Sequence, residues 1–152
     1  GLRSGTENIA AIVGFGKACE RVQKNIVITN NEVKNYRLLL EKELRNLGAI
    51  IFAEQTERLA NTTFFAFSNI DGSTLLTALD RKGYAIASGS ACSSNSSEAS
   101  HVLLAMGIKP ELAQGALRVS LGIDTKENEI KRFLESLKVE VNRLKQLTAM
   151  AA

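Results

Sequence analysis

Residues 61–88 read NTTFFAFSNIDGSTLLTALDRKGYAIAS, and this stretch decides the fold class. Residues 61–68 are β-branched and aromatic, which is typical of a strand. Residues 71–83 begin at a capping aspartate and end at a glycine, which predicts a short helix. Residues 84–88 return to a strand pattern. The stretch therefore predicts short strands that alternate with helices, as in an α+β layer.

Two helices and one strand are predicted before this stretch. The first helix begins after Thr6 and runs to about Lys24, with an apolar face on which Cys19 is expected to be buried. A break and a new cap near Asn31 start the second helix. Residues 49–53, AIIFA, have the composition of a further strand.

A serine-rich loop, two short helices, a strand and a long helix are predicted after it. Residues 95–98 have the spacing of a capping box, and Pro110 can start the next helix. Residues 116–122, ALRVSLG, alternate as a half-buried strand does. Asp124 or Thr125 is expected to cap the final helix, which carries one apolar stripe.

The composition indicates a folded protein without a membrane span or a nucleic-acid partner. Of the 152 residues, 45% are hydrophobic and 23% are charged, which is enough to form a core. The net charge is only +3, and no basic stripe with interleaved aromatics is present. No apolar run approaches about 20 residues, the length that a spanning helix needs.

Cysteine and histidine are too sparse for a metal centre. Cys19, Cys92 and the single His101 show no ligand spacing, so we expect no zinc site and no disulfide framework, but reduced cytoplasmic thiols. The sequence begins without methionine and without a signal-peptide pattern. We therefore expect a piece of a longer protein.

Cys92 is the first candidate functional residue, because its surroundings, SGSACSSNSS at residues 88–97, cannot bury it. No strand or helix pattern fits this segment before Asn95. An exposed thiol there is free to ionise and to reach a partner. No lysine, arginine or histidine lies within five residues to stabilise a thiolate, so a surface cysteine without a function is an equally good interpretation.

Arg118 and Thr6 are candidates for anion binding. In the predicted strand, Arg118 shares a face with Ala116 and Ser120, which are small enough to leave room for a carboxylate. The alternative is an arginine on the solvated face of an ordinary sheet. Thr6 follows a glycine at a helix start, a pattern that fits a phosphate site. The alternative is an ordinary capping threonine.

Four segments occur in the order found in one enzyme family. They are GLRSGTENIAAIVGFGKA, the stretch from NTTFF to SACSS, SHVLLAMGI and GALRVSLG. In these segments the chain resembles the cysteine desulfurases, class V enzymes of fold type I that depend on pyridoxal phosphate, and specifically their NifS/IscS-like branch. The resemblance implies that residues 30–152 form the small C-terminal domain and that residues 1–29 are the end of the large, cofactor-binding domain.

The resemblance also implies a role for each candidate residue. Cys92, in the loop of about residues 88–98, would take the sulfur of L-cysteine as a persulfide while alanine is released. Arg118 would hold the substrate carboxylate. Thr6 would reach the pyridoxal phosphate of the neighbouring subunit, so a homodimer is implied. An iron–sulfur scaffold or another acceptor protein would receive the sulfur, and His101 has no implied role.

The sequence departs from the family in several places. The cofactor lysine, the histidine that stacks on the cofactor and the aspartate that pairs with its ring nitrogen have no counterpart, so the chain alone is expected to be inactive. Ala60 and Ala99 stand where the family often has proline, which changes the backbone and removes no chemistry. Two other functions stay open: another class V enzyme, such as a selenocysteine lyase or an aminotransferase, and a non-catalytic sulfur-acceptor or docking module.

Overall fold

Helices and short strands are interspersed in the computed structural model, which describes residues 4–89 and 99–151 apart from the side chains of residues 25–30 and 151. The helices are α1 (Ile9–Asn46), α2 (Gly72–Asp80), α3 (His101–Ala105), α4 (Pro110–Gln114) and α5 (Glu127–Ala151). The strands are β1 (Ala49–Ile51), β2 (Thr62–Phe67), β3 (Ala87–Ser88) and β4 (Leu117–Ser120). They form an antiparallel sheet in the order β1-β2-β4-β3. The predicted α+β class is confirmed.

One face of the sheet carries the main hydrophobic core. Successive side chains of a strand point to opposite faces, and α1, α2 and α5 pack on the face that carries the buried residues of β2 and β4. The buried residues of this core include Leu40, Leu44, Phe65, Phe67, Leu75, Leu79, Leu117, Leu137 and Val141. Each such side chain stabilises the fold by about 1.5–3 kcal/mol when fully buried, so this face holds the sheet and the three helices together.

The opposite face of the sheet is covered only in part. A smaller core of Phe52, Ala66, Leu103, Ala113 and Ala116 joins this face to α3 and α4. Beside that core, β2 and β4 present two cross-strand pairs, and we call these four residues the open face: Thr62 with Ser120 and Phe64 with Arg118. Arg118 and Ser120 are exposed, which agrees with the predicted alternation of this strand.

Helix α1 is a single helix, so the predicted break near Asn31 is wrong. The helix continues through Lys24 and Asn31 to its end at residue 46. Between Gly16 and Gly48 the sequence contains neither glycine nor proline. An asparagine costs a helix only about 0.7 kcal/mol relative to alanine, which is too little to end a helix whose neighbouring turns are favourable.

Cys19 is exposed, so its predicted burial is also wrong. Every side chain described in the N-terminal half of α1, from residue 9 to residue 24, is exposed, and Phe15 shows 73% of its surface. The apolar face itself is present, but no described element packs against it. Val33 is the first α1 residue that is described as buried.

Two strands, one before residues 61–88 and one at the end of that stretch, are shorter than predicted. Ala53 has a φ of +53° and belongs to a turn, so the strand predicted over residues 49–53 ends at Ile51. Of the strand predicted over residues 84–88, only Ala87 and Ser88 pair with β4. Tyr84 instead donates its N–H to the Leu79 carbonyl at the end of α2. The sequence pattern therefore predicted where these two strands lie, but not the residues at which they begin and end.

The last helix begins at Glu127, and neither predicted cap starts it. The Thr125 hydroxyl accepts a hydrogen bond from the Gly122 N–H at 2.9 Å and closes the preceding turn. The Glu129 carboxylate accepts the Lys126 N–H at 2.8 Å, which satisfies one of the free donors of the helix start. The side chain that caps this helix start is therefore that of Glu129, in the first turn, and not that of Asp124 or Thr125, which precede the helix.

A buried ionic cluster joins α1 to the connection between β1 and β2. The Glu41 carboxylate accepts hydrogen bonds from Arg37 at 2.9 Å and from Arg58 at 2.9 and 3.2 Å. Arg37 also donates to the Ala60 carbonyl at 3.2 Å. Burial raises the pKa of Glu41, but the hydrogen bonds from Arg58 and Arg37 outweigh it, so this pKa lies below its ordinary value. The Glu41 carboxylate is therefore ionised at neutral pH.

Candidate functional site

Arg118 lies on the open face between two neighbouring strands. Its cross-strand partners are Phe64 in β2 and Ala87 in β3. The side chain is exposed and makes no hydrogen bond or ion pair with the described part of the chain. A guanidinium with five free donors in a planar fork can bind a carboxylate through two parallel hydrogen bonds. The exposed position of Arg118 is compatible with both interpretations, a carboxylate-binding residue and an arginine on the solvated face of the sheet.

Strand β3 brings an earlier part of the chain next to Arg118. Ala87 pairs with Arg118, and the Gly89 N–H donates to the Ala116 carbonyl at 2.9 Å. Cys92 lies outside the described residues. Because consecutive Cα atoms are 3.8 Å apart, chain length alone limits the Cα of Cys92 to about 11 Å from that of Gly89. The pairing of β3 with β4 therefore sets the start of the SGSACSS segment beside Arg118.

Thr6 does not share a pocket with Arg118 within this chain. It is exposed in the segment before α1, and the helix cap is Asn8, whose side chain accepts the Ala11 N–H at 3.1 Å. A rise of 1.5 Å per residue places Thr6 about 40 Å along α1 from Val33, where the helix meets the sheet. The structure thus separates two of the three candidate residues.

His101 begins α3 and is exposed. The helix cap is Ser100, which makes no side-chain hydrogen bond there, and the capping box predicted at residues 95–98 lies outside the described residues. No group of three histidine, cysteine, aspartate or glutamate residues that could hold a metal ion occurs in residues 4–89 and 99–151. Among the described helices, none is long and apolar enough to cross a membrane.

An apolar groove of about 260 Å³ adjoins the open face. Phe64 forms part of its wall, and the Phe52 ring meets Phe64 edge to face with 5.3 Å between the ring centroids. The other apolar side chains that line the groove are those of Ala53, Leu59, Val102, Leu103 and Met106. The Phe64 ring, which lies opposite Arg118 in the sheet, therefore contacts the Phe52 ring within the wall of the groove.

Phe64 and Gly89 lie near Arg118, and neither is marked as a functional residue by its local sequence pattern. The alternation of β2 indicates which face Phe64 takes, but its position opposite Arg118 depends on the register between two strands that are 50 residues apart. Gly89 is part of a serine-rich segment, and nothing in the local sequence distinguishes it from the residues around it. Its close approach to β4 appears only when the strands are paired.

The chain is similar to proteins of one known family. A family model described as aminotransferase class-V matches residues 1–133.

The chain belongs to the class V aminotransferase family.

The relatives of this class V chain carry the names that the sequence resemblance predicted. It is 37% identical over 154 residues to "Cysteine desulfurase IscS 1" of Archaeoglobus fulgidus, covering 99% of this chain and 40% of that protein. It is 39% identical over 150 residues to "Cysteine desulfurase NifS" of Azotobacter vinelandii, covering 97% of this chain and 37% of that protein. The class V chain thus spans less than half the length of these relatives.

Solved structures show the same fold. A NifS-like protein from Rickettsia africae superimposes with a TM-score of 0.82 at 32% identity, covering 93% of the class V chain and 37% of that chain. A second structure, titled as a NifS-like protein, has a TM-score of 0.82 at 34% identity. The predicted fold, that of a fold type I enzyme of the NifS/IscS branch, is confirmed.

Class V enzymes generally depend on pyridoxal phosphate, but the described residues do not form a site for it by themselves. Thr6 and Arg118 lie far apart, as shown above. A lysine that forms a Schiff base is activated by a desolvated pocket, whereas every lysine described here is exposed. Several are paired, such as Lys82 with Glu140 at 3.0 Å. The described residues therefore do not provide a complete site for this cofactor.

Proposed function

We propose that the whole protein is a cysteine desulfurase, to which this chain contributes the sulfur-carrying thiol of Cys92 and the carboxylate-binding guanidinium of Arg118. One observation carries the proposal: the pairing of Ala87 with Arg118, continued by the Gly89 hydrogen bond, sets the start of the SGSACSS segment beside an arginine that has no ionic or hydrogen-bonding partner among residues 4–89 and 99–151. The names and the identity of the relatives support the choice of L-cysteine as the substrate.

The proposed reaction moves one sulfur atom from L-cysteine to Cys92. The carbon–sulfur bond of the substrate breaks, a sulfur–sulfur bond forms on Cys92, and a proton from one of the two thiols ends on the substrate carbon. The products are L-alanine and a persulfide. The carbon is reduced while the sulfur pair is oxidised, so that atoms and electrons balance without an external oxidant.

The rest of the protein would supply what this chain lacks. Residues 1–29 would belong to the large domain, which would bind pyridoxal phosphate and provide its lysine, and residues 30–152 would form the small domain. Thr6 would reach the cofactor phosphate of the second subunit in a homodimer, which its separation from Arg118 supports. The sulfur would pass to an iron–sulfur scaffold or another acceptor protein in the cytoplasm, where thiols stay reduced.

The products of the whole protein test this proposal. With pyridoxal phosphate and L-cysteine as the sole substrate, we expect alanine and transferred sulfur in equal amounts, measured by amino-acid analysis and by sulfide release after a reductant is added. A requirement for a keto acid, with no sulfur released, would instead identify an aminotransferase. Activity confined to selenocysteine would identify a selenocysteine lyase, and no turnover in the whole protein would favour a docking module.

Replacement of Arg118 by glutamine is expected to weaken substrate binding. A hydrogen bond to a charged group contributes about 1.5–3 kcal/mol, so the loss of the carboxylate contact should raise KM for L-cysteine by about 10- to 100-fold. Steady-state kinetics of the whole protein measures the change. Arg81→Gln is the matched control, because Arg81 is also exposed but lies at the end of α2. An unchanged KM in folded Arg118→Gln would refute the assignment.

A further inference from the structure

Three of the apolar side chains that line the groove beside the open face are largely exposed. Leu59 shows 72% of its surface, Val102 53% and Met106 50%. Val102 lies in α3, Met106 directly follows that helix, and Leu59 belongs to the connection between β1 and β2. Exposed apolar side chains that border a concave apolar surface are typical of a binding site on a soluble protein.

The size of the groove suits one side chain of a partner protein. Its volume of about 260 Å³ lies below the roughly 300–1,000 Å³ of typical small-molecule pockets. Phe52 and Leu103, which also line the groove, are buried, so part of its wall belongs to the smaller core. A large apolar side chain that enters such a preformed pocket is the usual anchor of a protein interface.

Arg58 is the only charged residue among the described residues that line the groove. Its guanidinium donates to the Glu41 carboxylate at 2.9 and 3.2 Å, which uses two of its five donors. The Arg58 Nε–H is buried and donates to no atom in the described part of the chain. Because a buried donor without an acceptor is costly, Arg58 retains the capacity to bind a further acceptor.

The charge next to the groove is not balanced within its own cluster. Arg37 and Arg58 share the single carboxylate of Glu41, which leaves one positive charge in excess. Glu57, the acidic residue nearest to Arg58 in sequence, is exposed and does not line the groove. Since complementary charge guides association and disfavours wrong partners, the groove favours an acidic segment over a basic one.

We propose that the groove docks a partner protein through a large apolar side chain flanked by an aspartate or glutamate: the side chain enters the groove between Leu59 and Met106, and the carboxylate pairs with Arg58. This interaction surface goes beyond the proposed sulfur transfer and does not depend on it. The apolar walls provide the affinity, and Arg58 selects partners by charge.

Binding of short peptides to the whole protein tests the proposal. The probe is acetyl-Glu-Phe-Glu-amide, in which a carboxylate on each side of phenylalanine lets either chain direction present one to Arg58. The ¹³C-labelled methyl group of Met106, assigned by comparison with Met106→Leu, reports binding at the groove by NMR. We expect a saturable shift at about millimolar peptide. Binding should be about fivefold weaker for acetyl-Gln-Phe-Gln-amide and undetectable for acetyl-Glu-Ala-Glu-amide.

Substitutions locate the binding and its dependence on charge. Val102→Glu places a carboxylate at the edge of the groove and should weaken binding of the acidic peptide by about tenfold or more. Val139→Glu is the matched control, because Val139 is 57% exposed but lies on α5, which packs on the other face of the sheet. Arg58→Gln should bind the acidic and the amide peptide equally well. Far-UV circular dichroism establishes that each variant is folded.

Each result supports or overturns the inference. Equal binding of the acidic and the amide peptide to the original protein would refute the charge selection, and a Met106 methyl group that responds to no peptide would show that the groove accepts no partner. Equal weakening by Val102→Glu and Val139→Glu would place the binding elsewhere. If Arg58→Gln does not fold, the two peptides on the original protein decide. No step of this assay requires catalysis, so its result is independent of the proposed function.

Discussion

Replacement of Cys92 by serine is expected to abolish persulfide formation in the whole protein. A hydroxyl oxygen cannot form the sulfur–sulfur bond of the product, and loss of a nucleophile lowers turnover by on the order of a thousandfold or more. Mass spectrometry of the protein after reaction with L-cysteine should show one added sulfur atom on the peptide that contains Cys92, and no added sulfur in the variant. Alanine formation should fall with it.

Cys19→Ser is the matched control for this experiment. Cys19 is an exposed thiol on the surface of α1, in the part of the helix that no described element covers. Its replacement should leave both the rate and the site of the added sulfur unchanged. If Cys92→Ser formed persulfide at the original rate, or if the added sulfur were found on Cys19, the assignment of the carrier would be wrong.

Replacement of Glu41 by glutamine is expected to have the largest effect on stability. The Glu41 residue is only 1% exposed, and its carboxylate is the partner of the buried Arg37 guanidinium and of the partly buried Arg58 guanidinium. Removal of one member of a buried ion pair leaves an uncompensated charge and costs about 3–5 kcal/mol. Urea denaturation should show this loss as a lower midpoint. Thermal unfolding should shift downward by about 10 °C.

Glu20→Gln is the control for the same helix. The Glu20 carboxylate is also paired with two cations, Lys17 at 2.8 Å and Lys24 at 2.6 Å, but these groups are exposed to solvent. Exposed pairs contribute little because water and salt screen them. A similar loss of stability in both variants would show that burial of the Glu41 cluster is not the source of its effect.

The contribution of Glu41 should also depend on pH. Because the pKa of Glu41 is lowered in the folded state, the unfolded state binds the proton first as the pH falls. The stabilisation is therefore complete above the unfolded pKa of about 4.3 and is lost as the pH falls through the lower folded value. The stability difference between the original chain and Glu41→Gln should be constant near neutral pH and shrink in acid. A constant difference down to pH about 2 would contradict this assignment.

Local patterns predicted the elements that lie within short stretches of sequence. The β-branched and aromatic run at residues 61–68 became β2, and the predicted cap Asp71 accepts the Thr74 N–H at 2.7 Å at the start of α2. The alternation in β4 predicted that Arg118 would be exposed. These features depend on residues within about four positions of one another, because strand alternation and helix capping are interactions between sequence neighbours.

The wrong predictions concern features that depend on distant residues. The polar residues near Asn31 resembled a helix break. The residues around them have sufficient helix propensity, however, and α1 continues through this region. The face that carries Cys19 was identified correctly as apolar, whereas its burial requires a second element that residues 4–89 and 99–151 do not place against it. Periodicity shows which side chains share a face and says nothing about what covers that face.

By itself, the sequence determined the α+β class, the order of its elements, the relationship to the cysteine desulfurases and the three candidate residues Cys92, Arg118 and Thr6. Only the tertiary structure decided how Arg118 and Thr6 are placed relative to each other. It placed the start of the Cys92 segment beside Arg118 through the β3–β4 register, and it separated Thr6 by the length of α1. The physical reason is that strand register and close packing, as at Gly89, are set by contacts between residues far apart in the chain.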